Sequence, residues 1–204
     1  MNESESANEN LRVIRQLMER ATVYRAISAP IAILGGLLAL ALAWWQRDGM
    51  TGKAFLKYWL SLFAVLAALN LLLLWRDAAQ RGQSFFSSGL RLALRALVPP
   101  LLAGGVLGVG AVLIQADLGY CATLWCIFYG LALSATSSFA PVSMQRLGRA
   151  FVAAGIICFL GNQAGFLKIE DESLFTTANI MAATFGLFHI VYGICVLVSS
   201  RRRV

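Results

Sequence analysis

A single histidine stands in this 204-residue chain, and it lies deep inside an apolar stretch. A lone imidazole in hydrocarbon has two uses: it titrates or contacts a ligand, or it serves as a hydrogen-bonded packing residue. Ala182, Gly186 and Gly193 recur at spacings of four, three and four around His189, so on one helix they share its face. Small residues let a second helix approach closely, so His189 is expected to face a neighbouring helix rather than lipid. One histidine cannot assemble the usual zinc or haem ligand set, and neither a metal nor a cofactor is expected.

Other polar groups fall in the same part of the chain. Gly155, Cys158, Asn162 and Gly165 form a narrow stripe, with Gln163 beside it, and Cys126, Gly130, Ser134 and Ser137 form a second. Together with Thr184, His189 and Tyr192, these residues are expected either to line a polar site or to hydrogen-bond between helices, at about 0.6–2 kcal/mol each. Asn70 stands alone among leucines and is expected to bond across to another helix. Pro99 and Pro100 remove two backbone donors, and Gly104, Gly105, Gly108 and Gly110 follow them. This segment reads as a hinge or a static kink, with Gly104 and Gly108 giving a close-packing face. The four cysteines include no Cys-x-x-Cys pair and read as small buried hydrophobes. No nucleophile can be matched to a base, and no phosphate-binding or metalloprotease motif is present, so an enzyme is not expected.

The elements that hold these residues follow from hydropathy. Of all residues 59% are hydrophobic and 13% charged, well below the charge content of a soluble domain. Six windows reach the length of about 20 apolar residues that a spanning helix needs. They are Ala26–Gln46, Leu56–Trp75, Leu92–Ile114, Tyr120–Ala140, Arg149–Leu167 and Thr176–Ser199. The fold class is therefore an all-α integral membrane protein of about six transmembrane helices. Three parts are expected: a cytoplasmic tail over 1–25, a membrane domain over 26–200 and a basic tail over 201–204. Trp44, Trp45, Tyr58, Trp59, Trp75 and Tyr120 sit near the ends of windows, where amphipathic rings anchor at the interface.

Lys and Arg fix an orientation. The segments on one side carry thirteen positive charges, and those on the other carry Arg47, Lys53, Lys57 and Lys168 with the acidic run Glu170, Asp171 and Glu172. The positive-inside rule places both termini in the cytoplasm. The net charge of +7 is spread between apolar runs, which fits anionic lipid and not nucleic acid. The first residues are polar and acidic, unlike a cleavable leader. Ser6 and Glu9 match a capping box, and Leu11, Ile14, Met18 and Ala21 then form an apolar stripe. An amphipathic helix is expected there, lying on the membrane, on the protein's own cytoplasmic face or on a partner.

Three windows open alike, at Arg25-Ala26, Arg95-Ala96 and Arg149-Ala150, and two share a Tyr-Gly pair, Tyr129-Gly130 and Tyr192-Gly193. The spans can be arranged as three helical hairpins, a plan used by transport proteins. Two functions follow. One is a small carrier or channel component with a polar pathway among spans three to six. The other is a non-catalytic scaffold, sensor or partner subunit acting through the N-terminal helix and basic face. The partners expected are membrane lipids and either further copies of the chain or a membrane subunit. The excess of Arg over Lys and the short loops suggest a bacterial inner membrane.

Overall fold

The computed structural model describes residues 29–47, 49–80, 82, 84–137, 141–165 and 176–201. The amphipathic helix expected near the N-terminus, the acidic run at 170–172 and the last arginines lie outside these residues. Six helices among those described are long and apolar enough to cross a membrane, so the chain is a multi-pass, all-α membrane protein. They are α1 (Ala29–Gln46), α2 (Gly52–Gln80), α3 (Ser88–Gln115), α4 (Leu118–Ala135), α5 (Val142–Gln163) and a composite sixth span. The sixth span consists of α6 (Thr177–Met181), a π-helical segment (Ala182–Phe188) and α7 (His189–Arg201).

Helix ends depart from the apolar windows for a local reason. Hydropathy marks only the hydrocarbon stretch, whereas a helix continues until its backbone is capped or broken. α2 and α3 are 29 and 28 residues long, so each extends over more than 40 Å, about 10 Å more than the hydrocarbon layer. α2 runs on through Arg76 and Asp77 to a turn at Gly82, which holds φ +63°. Ser87 caps α3 by accepting from the Leu90 N–H at 3.2 Å. Pro141 stands immediately before α5, where its missing donor removes nothing from the helix. α3 and α4 are joined through only Ala116 and Asp117. Ala116 adopts φ 56° and donates its N–H back to Ala111 O, while Asp117 caps α4 by accepting from the Tyr120 N–H at 2.7 Å.

Packing follows the glycines. A Cβ on Gly130 of α4 would lie 2.6 Å from Gly148 O and 2.7 Å from Val152 N on α5. A Cβ on Gly36 of α1 would lie 2.6 Å from Gly186 O, and one on Gly193 2.8 Å from Ala29 O. The two Tyr-Gly pairs are thus used alike: each glycine admits the backbone of a neighbouring helix. α3 meets α4 through Gly104, under Phe128, and Gly108, under the Trp125 indole. The hairpin arrangement is reworked by these contacts. α3, α4 and α5 pack as a meander, but the sixth span lies chiefly on α1 instead of α5.

α2 is the loosely held member. Its only buried residues are Phe55, Leu56 and Trp59, near its start. Leu66 rests on Gly35 of α1 farther along. Asn70 sits beyond Leu66, and its Oδ1 is shielded without a hydrogen-bond partner, so the bond expected across to another helix is not formed. α3 remains helical through Pro99, Pro100, Gly104 and Gly105, and a Cβ on Gly105 would meet nothing within 4 Å.

Candidate functional site

The polar residues of the last three spans divide between two levels of the membrane. At mid-depth, His189 begins α7 directly after the π-helical segment. Its backbone N–H bonds to Gly186 O, and its ring Nδ1 lies 3.0 Å from Phe185 O. A carbonyl only accepts, so Nδ1 carries the proton of that bond. In the neutral ring Nε2 is then an acceptor, and the Tyr129 hydroxyl on α4 donates to it at 2.8 Å. Both ring nitrogens are thereby satisfied from within the chain.

The other margin of the π-helical segment is tied similarly. Thr184 Oγ1 donates to Ile180 O at 2.7 Å and accepts from Cys126 Sγ on α4 at 3.3 Å. Two side chains, Thr184 and His189, therefore each bond the carbonyl four residues before them. A π turn shifts the backbone donors out of α register, so nearby side-chain donors help to satisfy its carbonyls.

Aromatic rings fill the space around the pair. Phe151 of α5 lies 4.8 Å from Tyr129, 5.0 Å from Phe185 and 5.4 Å from His189, between ring centroids. Phe185 continues the cluster to Trp59 of α2 at 6.3 Å. Trp59 was grouped by its position with the interfacial rings, but it is 5% exposed and donates Nε1–H to Gln46 Oε1 at 2.6 Å. Gln46 is itself buried and supplies the acceptor that an indole N–H usually finds when desolvated. Gln46 Nε2 and Trp125 Nε1 are buried without a hydrogen-bond partner. Trp44 and Trp45 are exposed as expected, with Arg47 4.1 Å above the Trp44 ring.

The sequence candidates are distributed accordingly. Thr184 and His189 lie around the π-helical segment, and Tyr192, one turn farther, faces Ser143 on α5. Ser134 faces Gly148, inside the α4–α5 contact. Asn162 and Gln163 are exposed at the far end of α5. They stand eleven and twelve residues from Phe151 and so about 16–18 Å along the axis from the level of His189. There they border a cavity of 190 Å³ with Gln115, Asp117, Tyr120 and Phe159. The stripe Cys126, Gly130, Ser134 packs against α5 and does not open toward this cavity. Gln46 and Asp117 are not among the sequence candidates, although a polar residue closing an apolar run and an acid directly before a helix are the signals that mark them.

Among the described residues no three His, Cys, Asp or Glu side chains are grouped to hold a metal. Comparison with protein-family models, curated proteins and solved structures gives no match for this chain.

Proposed function

We propose that this chain is a non-catalytic membrane module, a scaffold or partner subunit that binds other membrane helices. The observation that carries this reading is the state of α2. From Leu60 to Gln80 it has no buried residue, whereas the other spans interlock through glycine contacts. Ser61, Ala64 and Ala68 are exposed at spacings of three and four, so they share one outward face. Lipid tails solvate a leucine face as well as a protein does, so small side chains on a lipid face favour a helix instead. The filled aromatic core around His189 also fits a static body better than a conduit. The reading keeps both termini cytoplasmic, supported by Arg76, Arg91, Arg95, Arg146 and Arg149 at one end of the spans, and a bacterial membrane, supported by the excess of Arg over Lys.

A photo-crosslinking amino acid at Ala64 or Ala68, in native membranes, tests this. Discrete protein adducts are expected at these two sites and not at Ile157, an equally lipid-exposed position on α5. Adducts to lipid alone at all three sites would overturn the reading.

The carrier reading is favoured by one observation, the π-helical segment. Such segments cost stability relative to α-helix and are frequent at functional sites. For His189 to serve transport it must exchange Tyr129 for a solute or water. His189→Phe would then abolish solute flux into proteoliposomes while the protein stays folded, and unchanged flux would exclude it.

A further inference from the structure

We propose that the cavity bordered by α3, α4 and α5, at the end of the bundle opposite Arg76, Arg91, Arg95, Arg146 and Arg149, binds a small organic ammonium group. This inference does not depend on whether α2 docks a partner.

The cavity has the charge, acceptors and walls for such a group. Among the described residues, Asp117 is the one charged side chain that lines it. Its Oδ1 caps α4, and the helix end carries about half a positive charge against the full negative one, so the site stays net negative. Gln115 and Gln163 bring carboxamide oxygens, which accept from N–H donors. Tyr120 and Phe159 also border it, their rings packed together with centroids 6.0 Å apart and planes at 35°. Ring faces attract a cation through their quadrupole, most strongly where water is partly excluded.

Competing ligand classes use this chemistry less well. An anion would meet Asp117, and no described lining residue is basic to offset it. A bare divalent ion wants several carboxylate or carbonyl oxygens in a tight shell and gains little from rings. An alkylammonium uses the carboxylate, the amide oxygens and the rings together. At this depth it can arrive as a soluble amine or as the head group of phosphatidylethanolamine, and the chemistry recognised is the same.

The full chain, reconstituted in nanodiscs of phosphatidylglycerol, decides the matter by its thermal unfolding midpoint. Ethylammonium chloride is compared with sodium chloride at equal ionic strength and with ethylene glycol as a neutral probe. A second set of discs contains phosphatidylethanolamine. A ligand that binds the folded state raises the midpoint, here by about 2–5 °C at saturating probe. A rise with ethylammonium assigns a soluble amine, and a rise only with phosphatidylethanolamine assigns the head group. Asp117→Asn keeps an equally good helix cap but removes the charge, so it should lose the rise. Phe159→Leu leaves the cap untouched and should at least halve it. No rise from either amine, an equal rise from ethylene glycol, or an undiminished rise in either variant would overturn the proposal.

Discussion

The imidazole of His189 and the hydroxyl of Tyr129 meet 2.8 Å apart across the contact between the sixth span and α4. With the Cys126–Thr184 bond and the Phe151 ring contacts, this bond ties a helix that rests chiefly on α1 to the meander of α3, α4 and α5. It also completes the histidine's hydrogen bonding, since Phe185 O occupies the other ring nitrogen.

Tyr129→Phe removes the donor and leaves a shielded imidazole nitrogen unpaired. The expected loss is about 1–3 kcal/mol of stability, the cost of an unsatisfied buried acceptor. Denaturant unfolding in detergent micelles measures it. In a double-mutant cycle with His189→Phe, the Tyr129 change should cost much less once the imidazole is gone. Additive losses would mean that the two side chains do not interact. Ring ¹⁵N shifts should report a neutral histidine protonated at Nδ1.

Glycine substitutions should separate close approaches from open surface. Gly130→Ala places a methyl group 2.6 Å from Gly148 O, a backbone atom that cannot step aside without moving α5. Overpacking of this kind costs about 1–3 kcal/mol. Gly105→Ala meets nothing within 4 Å. It should be neutral or stabilising by up to about 1 kcal/mol, because alanine is the better helix former. The same variant examines the hinge reading of Pro99, Pro100, Gly104 and Gly105. If bending at Gly105 is needed for function, the stabilised variant should lose function.

Orientation can be read with an impermeant maleimide on intact cells. The native cysteines lie within spans, so the unaltered chain should remain unlabelled. Lys53→Cys, on the first residues of α2, should label from outside. Ser84→Cys, before α3, should label only after permeabilisation. The reverse pattern would invert the topology.

The sequence by itself determined the solvent and the crossing count. Hydrocarbon rewards unbroken apolar stretches of about 20 residues and fixes no partner for them, so six runs and their flanking arginines are legible one segment at a time. The glycine pairs were legible too, as places where something must come close. What came close was not. Gly186 and Gly193 turn toward α1 while His189, four residues before Gly193, turns toward α4 and α5. The π-helical segment that ends at Phe188 alters the rotation per residue before His189, so Ala182 and Gly186 cannot be placed relative to it by counting 3.6 residues per turn. Depth was equally hidden. Asn162 and Gln163 belong with Asp117 at the membrane's edge, and Trp59 belongs in the core with Gln46. Sequence spacing gives position along one helix, whereas the level at which two helices meet depends on how their side chains interlock, and only the folded chain decides that.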